Sequence, residues 1–400
     1  MTREVKFNGR PIWAEVSLSA LEHNLRAIQR HIGGRRKVLA VVKANAYGHG
    51  AVGVAKALAK AGADWFGVTC TAEGVELREA GIRQPILVLT GFWPGEEEEI
   101  LRHRLTPTII RVEQLRLLER AAAKFAKTPL RRGRAPCGKS GAIAEFHLKI
   151  DSGMNRLGIQ PADVARFLRA LSDCSHLRLA GTFTHFASSE VFTSDQTEQQ
   201  EHAFAGVLER LRAARISPGI VHLANSAAIA ARPSTWADMV RPGALLYGYH
   251  QFYDPHEMKP EMEAKLPSRP VLSLRARIIS LKEVPAGQGV GYNARFVTRR
   301  PSRIAVIAAG YADGLVRQRT NRGEVIVRGR RAPLVGTISM DLAMVDVTDL
   351  PDARVGDVAT IYGTEDGCAL WASEVAQGLG TVTSELLCAV GKRVPRFYLP

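Results

Sequence analysis

Val38-Leu39-Ala40-Val41-Val42-Lys43-Ala44-Asn45-Ala46-Tyr47-Gly48-His49-Gly50 is the stretch on which the reading of this 400-residue chain turns. Five consecutive apolar residues, rich in β-branched types, read as a strand covered on both faces, the mark of a parallel sheet packed by helices. A lysine closes the run, and small residues, a tyrosine and glycines follow it. The carboxyl ends of such strands are where β/α barrels and open α/β sheets keep their chemistry. A partly desolvated ammonium there has a depressed pKa, which makes Lys43 a candidate Schiff-base nucleophile. Position alone also allows a lysine that simply reaches solvent.

Outward from this strand, short apolar runs alternate with amphipathic stretches from about Trp13 to Tyr249. Strands are expected over 37–42, 65–68, 86–89, 145–150, 179–184 and 220–223. Helices are expected over 52–61, 112–125, 161–171 and 197–214, the last with Glu and Gln early and Arg late, as the helix dipole favours. Repeated β-α units predict an α/β fold with a parallel sheet. A (β/α)8 barrel of the TIM type suits the length better than a doubly wound sheet, and no GxGxxG follows the first strand. After about Tyr253 a polar, proline-punctuated linker gives way to short β-branched runs over 271–274, 303–308, 324–327, 344–347 and 358–362. These predict a smaller, mainly β C-terminal domain. The expected division is a barrel over 13–252 and a β domain over 253–400 that also takes in a strand at 1–12.

Composition narrows the function classes. The chain is 46% hydrophobic with a formal net charge of +15. Its basic residues are dispersed, no nucleic-acid-binding motif is present, and the densest run, Arg131-Arg132-Gly133-Arg134 with Lys139, reads as an inert extra surface loop over 131–141. No nucleic-acid partner is expected. Five scattered cysteines without a CxxC pair argue against a disulfide framework or a metal site. No window approaches a membrane helix and the N-terminus lacks a signal-peptide core, so a cytoplasmic location is expected.

Polar and glycine clusters recur at the ends of the expected strands. Leu148–Gly158 (LKIDSGMNRLG) carries Lys149 and Arg156, and Thr184–Ser189 (THFASS) carries His185. Val221–Ala228 (VHLANSAA) holds His222, Asn225 and Ser226, with Asn-Ser placed to cap a helix and turn amides toward an anion. Met239–Gly248 (MVRPGALLYG) holds Arg241 and a Pro-Gly turn with amides at Gly243 and Ala244. Each alone has a plain structural explanation as a cap, a core histidine or a surface arginine. Their succession along one barrel is harder to explain that way.

VVKANAYGHG, KIDSGMNRLG, THFASS, HLANSAA, MVRPGALLYG, GVGYNARF, AAGYADG and GTISMD resemble, in order and over essentially the whole chain, the motifs of the alanine racemases. These are isomerases of the β/α-barrel type that depend on pyridoxal 5'-phosphate. The resemblance implies that Lys43 holds the cofactor as an aldimine and that Tyr292 is the second acid/base. It implies that Tyr47, Ser226 and the amides of Gly243 and Ala244 hold the phosphate, and that Arg241 faces the pyridine nitrogen with His222 behind it. Arg156 is implied beside the phenolic oxygen and the substrate carboxylate, with the Met340 amide adding to the latter and His185 bonding Tyr292. Lys149 matches a position often carbamylated, where it orients Arg156, and Tyr311 matches a residue at a narrow mouth. A homodimer is implied, with Tyr292, Tyr311 and Met340 acting in trans on a small amino-acid substrate.

The chemistry agrees. Racemisation removes the α-proton from one face and returns it on the other, which calls for two bases flanking one plane. An arginine at the pyridine nitrogen does not give up a proton, so the ring is a weaker electron sink and reprotonation at the α-carbon is favoured over transamination.

One position departs from the family. The site usually held by a tyrosine just before the Glu-containing C-terminal helix is Ser384, which leaves room and loosens both phosphate grip and alanine specificity. The leading expectation is interconversion of L- and D-alanine, supplying D-alanine for peptidoglycan. A broader alanine/serine racemase is the alternative within that chemistry. A non-catalytic cofactor-binding protein related to the single-barrel binders would not need the second domain, and a decarboxylase would be expected to place an acid where Arg241 stands.

Overall fold

A computed structural model describes residues 9–127 and 143–400. Residues 1–8 of the strand expected over 1–12, and the basic loop 131–141, lie outside the described residues. The chain divides into two compact units, one comprising Leu21–Ala46 and Ala51–Arg269, the other Met1–Ala20, Tyr47–Gly50 and Pro270–Pro400.

The first unit is built on eight parallel strands. Their order is Ile220–His222, Leu177–Phe183, Ala144–Lys149, Thr106–Ile109, Ile86–Val88, Trp65–Val68, Lys37–Val41 and Met239–Val240. The two ends of this sheet meet: Val221 O accepts from Asp238 N at 3.0 Å, and Ala224 O accepts from Arg241 N at 3.0 Å. The expected barrel is therefore present and closed. Two of its strands escape sequence reading. Thr106–Ile109 carries a proline and two threonines, and Met239–Val240 is too short to show a period.

Helices alternate with the strands because their apolar residues fall at helical spacing. In Val112–Lys127 the buried side chains include Val112, Leu115, Leu118 and Ala122, with Glu113 in the first turn and Lys124 and Lys127 in the last. Strand faces are set just as simply. In Ala144–Lys149 the Phe146 ring lies 6.4 Å from that of Phe167 on the helix Val164–Ser172, so Phe146 points outward. The period of two then turns His147 and Lys149 together toward the barrel interior.

The second unit holds a nine-stranded sheet. Its order is Cys368–Leu370, Val358–Glu365, Glu324–Val327, Arg330–Val335, Ala343–Asp346, Ser302–Ile307, Leu272–Val284, Ile12–Ser17 and Arg396–Leu399. Leu272–Val284 also pairs back onto Val358–Glu365, which curls the sheet. The strand Ile12–Ser17 lies antiparallel to Leu272–Val284, with Ala14 opposite Leu274, and parallel to Arg396–Leu399. Residues 47–50 dock in this unit too: Arg396 donates to Gly48 O from Nε at 3.1 Å and Nη2 at 2.9 Å. Gly48 is at φ +81°, and a Cβ there would stand 2.0 Å from Leu387 O, so only glycine passes.

Candidate active site

Lys43 follows the strand Lys37–Val41 and opens a turn of the wrong hand. Ala44, Asn45, Ala46 and Tyr47 have φ of 52°, 54°, 53° and 51°, a run of left-handed residues with no glycine among them. Such backbone costs roughly 1–2 kcal/mol per residue and persists only where its surroundings hold it. Here Ala46 N bonds Val42 O at 2.9 Å, and Ala51 N bonds Asn45 Oδ1 at 2.8 Å. The Glu73 carboxylate takes Ala44 N and Thr69 N, each at 2.7 Å. The turn directs the chain after Lys43 without letting it run on as an ordinary helix. Small residues at 44–46 were its only trace in the sequence, and Glu73 left none.

Around the same rim, the other strand ends contribute cations and imidazoles. Lys149 is buried at the end of its strand, 5.6 Å above the Phe183 ring. Burial and then the charges of Arg241, Arg156 and Lys43 pull its pKa down to about 8, with Asp151 acting the other way. Asp151 also shapes the loop that carries Arg156. Its Oδ1 accepts from Asn155 N at 2.8 Å and its Oδ2 from Arg156 N at 2.9 Å.

Arg241 is the most heavily bonded of the group. Its Nη2 donates to Thr184 O at 2.7 Å, Leu223 O at 2.8 Å and His185 Nδ1 at 3.2 Å. Its Nη1 donates to His222 Nδ1 at 3.0 Å. Burial lowers its pKa to about 9, still above neutrality, so it remains a cation. His185 and His222 are each held well below the ordinary imidazole value, first by burial and then by Arg241, and are neutral. His222 stacks on Phe183 with centroids 4.6 Å apart. Behind it His147 Nδ1 meets His222 Nε2 at 2.9 Å, a contact the sequence reading missed although His147 shares a strand face with Lys149.

Ser226 opens the short helix Ser226–Ala231, which Asn225 caps through Ala228 N at 3.0 Å. Ser226 Oγ accepts from Gly243 N at 2.9 Å and Leu245 N at 3.4 Å. Ala244 begins the tight turn Ala244–Tyr247 between those two amides. With its oxygen accepting those amides, Ser226 keeps its own O–H to donate, and hydroxyl and turn form a compact nest that an oxyanion would enter.

The remaining candidates lie in the β unit. Tyr292, Tyr311 and Met340 are 69%, 41% and 52% exposed. They occupy adjoining segments, with Tyr311 N bonding Ser339 O at 3.1 Å and Thr337 Oγ1 bonding Tyr292 O at 3.2 Å. Tyr47 is the opposite case, since burial and the neighbouring Cys388 lift its phenol to about 12. Ser384 is half-buried in the first turn of the helix Thr383–Cys388, the helix that also carries Cys388.

Pyridoxal 5'-phosphate fits this donor set. The charges of Arg241, Arg156 and Lys43 all reach Lys149, and Ser226 adds a neutral donor, as a phosphate ester with an anionic ring oxygen requires.

Comparison with known proteins gives the family. Residues 16–251 match the family model for the alanine racemase N-terminal domain, and residues 271–398 match that for the C-terminal domain. The chain is 39% identical over 391 residues to alanine racemase of Halothermothrix orenii, covering 97% of each. It is 40% identical over 396 residues to that of Geobacter sulfurreducens, covering 98% of each. Among solved structures, alanine racemase of Clostridium difficile 630 superposes with a TM-score of 0.86 at 34% identity, covering 98% of this chain and 97% of that one. The biosynthetic alanine racemase of Pseudomonas aeruginosa gives 0.82 at 37% identity, with 98% and 100% covered. Two domain models spanning almost the whole sequence, and relatives matched end to end at this identity, make the chain a member of the alanine racemase family, an isomerase built on a β/α barrel and a β domain.

Proposed function

We propose that the protein interconverts L- and D-alanine with pyridoxal 5'-phosphate as cofactor, as a cytoplasmic homodimer that supplies D-alanine for peptidoglycan. The observation that carries this reading is the convergence of Lys43, Lys149, Arg156 and Arg241 on the strand-end rim beside the Ser226 nest. Bound there, the cofactor would supply a carbonyl for the substrate amine and a conjugated ring to delocalise the electron pair left by the α-proton.

The chain's own residues do the rest. Lys43 would hold the cofactor and would exchange a proton with the substrate's α-carbon on one face. Tyr292 of the partner subunit does so on the other face. Ser226, Gly243, Ala244 and Tyr47 grip the phosphate, while Arg156 and the Met340 amide orient the substrate carboxylate. Tyr311 narrows the approach. Arg241 would face the ring nitrogen; being a pure donor, it would leave that nitrogen unprotonated and the electron sink weak. His185, accepting at Nδ1, keeps its ring proton on Nε2, from where it can donate to the Tyr292 oxygen. The in-trans roles draw support from the exposure of Tyr292, Tyr311 and Met340 on the single chain.

Ser384 favours a second reading, turnover of serine alongside alanine, because its side chain is short where the family usually places a tyrosine. Purified protein loaded with cofactor in deuterated water decides between them. Loss of optical rotation with α-proton exchange for L-alanine, slow for other amino acids, supports the first reading. Comparable rates for L-serine support the second. Cofactor uptake with no exchange for any amino acid would sink both.

A further inference from the structure

One buried polar group at the barrel centre has no place in the chemistry above. His147 and His222 are both fully buried and Arg241 is 4% exposed. They form a line: Arg241 Nη1 to His222 Nδ1 at 3.0 Å, then His222 Nε2 to His147 Nδ1 at 2.9 Å. The direction of the line follows from elementary valence. A guanidinium only donates, so His222 Nδ1 must accept, and the ring proton of His222 sits on Nε2. That proton can go only to His147 Nδ1, so His147 in turn carries its proton on Nε2.

There the line ends without an acceptor among the described residues. His147 Nε2 is buried and has no hydrogen-bond partner among them; the Trp65 ring on its other side is 5.2 Å away between centroids. A buried donor left unmade costs on the order of 1–3 kcal/mol, a penalty an apolar side chain at the same place would avoid. The neighbouring strand is also shaped around this imidazole. A Cβ at Gly181 would stand 2.5 Å from His147 Cε1 and 2.7 Å from both ring nitrogens. Two features that cost stability thus serve to keep an imidazole where a leucine would pack more cheaply.

We propose that His147 is a positioning residue. By accepting from His222 Nε2 it locks the tautomer of His222, keeps the Nδ1 lone pair turned to Arg241, and thereby holds the guanidinium in the orientation that serves the cofactor's ring nitrogen. This rests on the reading above that Arg241 faces that nitrogen. With Nη2 already committed to Thr184 O, Leu223 O and His185 Nδ1, the contact with His222 is what fixes Nη1. Should His222 move its proton to Nδ1, two donors would face each other and the guanidinium would have to shift.

The test compares wild type, His147→Leu and His147→Asn, whose amide oxygen can stand near the lost Nδ1. Histidine-labelled protein is followed by long-range 15N–1H correlation, first without cofactor and then loaded with pyridoxal 5'-phosphate. In wild type, His222 should be Nε2-protonated and unchanged from pH 6 to 9. In the Leu variant it should become a tautomer mixture, and the Asn variant should restore it. In loaded protein the pH dependence of the cofactor's visible absorption should shift for Leu and return for Asn. The accompanying loss in kcat should be on the order of tenfold, with KM altered less than about twofold.

A wild-type His222 protonated on Nδ1 or on both nitrogens overturns the proposal, even if no variant folds. So does an unaltered His222 tautomer in the Leu variant, or an altered tautomer that leaves the absorption unmoved. Failure of wild type to take up the cofactor would instead strike the functional reading, and the cofactor-free spectra would still decide whether His147 sets the tautomer.

Discussion

Arg241 Nη2 reaches His185 Nδ1 at 3.2 Å while the same nitrogen bonds two backbone carbonyls, Thr184 O and Leu223 O. The guanidinium is thus tied to the ends of two neighbouring strands and to a histidine that must keep its own proton on the far nitrogen. Few rearrangements are open to it. A lysine at this position keeps the charge but has a single nitrogen, and cannot span these acceptors and His222 together. Arg241→Lys should cost roughly 3 kcal/mol in urea unfolding of the cofactor-free protein. A loss under about 1 kcal/mol would mean that these bonds are not made in solution.

Tyr292 separates chemistry from stability. Its side chain is largely exposed on the single chain, so removing the hydroxyl costs little within that chain. Tyr292→Phe should lower kcat for racemisation by roughly 10²–10⁴ while unfolding stays within about 0.5 kcal/mol of wild type. Near-normal racemisation by this variant would remove Tyr292 from the two-base assignment.

Lys149 is poised to lose its proton. With its pKa pulled down to about 8, it presents a free amine to carbon dioxide near neutrality, which an ordinary lysine does not. At fixed dissolved carbon dioxide, a carbamate signal from 13C-bicarbonate should grow as pH rises through about 8 and vanish in Lys149→Gln. In carbon dioxide-free buffer the sign of the stability effect is also set. Between the folded value of about 8 and the ordinary lysine value of 10.5 the unfolded chain binds the extra proton, so stability rises with pH across that window. Lys149→Met should flatten that rise relative to wild type.

Ser384→Tyr tests specificity. Filling the half-buried position in the first turn of Thr383–Cys388 should reduce the serine-to-alanine ratio of kcat/KM by about tenfold, the scale set by changing one apolar contact in a pocket. An unchanged ratio would show that this residue does not face the substrate side chain.

Gly48 tests the docking of residues 47–50. Its left-handed φ and the 2.0 Å approach to Leu387 O leave no space for a methyl group. Gly48→Ala should destabilise by at least about 3 kcal/mol in chemical denaturation. Gly34→Ala is the control: φ is +69° there, but nothing lies within 4 Å of a Cβ. It should cost only about 1–2 kcal/mol, the strain of the backbone alone.

The barrel was legible wherever a strand carried an unbroken apolar run. Trp65–Val68 is found where expected, and 37–42 and 86–89 each overrun the observed strand by one residue. Thr106–Ile109 was not legible because a proline and two threonines break its apolar run, and Met239–Val240 because two residues show no period. The same holds in the β unit. Arg330–Val335 carries a proline and two arginines, and Arg396–Leu399 lies at the sheet edge. Around the site, His185, His222 and Arg241 could be named from strand ends. Glu73 and His147 could not, since their importance lies in contacts with segments 29 and 75 residues away.

By itself the sequence determined the alternation of strands and helices, the short β-branched runs from 271 onward, and the polar clusters that close successive strands. Those are local properties of residue type and spacing, carried by period and composition. Only the tertiary structure decided that the sheet closes between Val221 and Asp238, that Ile12–Ser17 pairs with Leu272–Val284, and that the chain after Lys43 turns left-handed. It alone aligned Arg241, His222 and His147. Each of these depends on where a distant donor finds its acceptor once water is excluded, and no local preference encodes that.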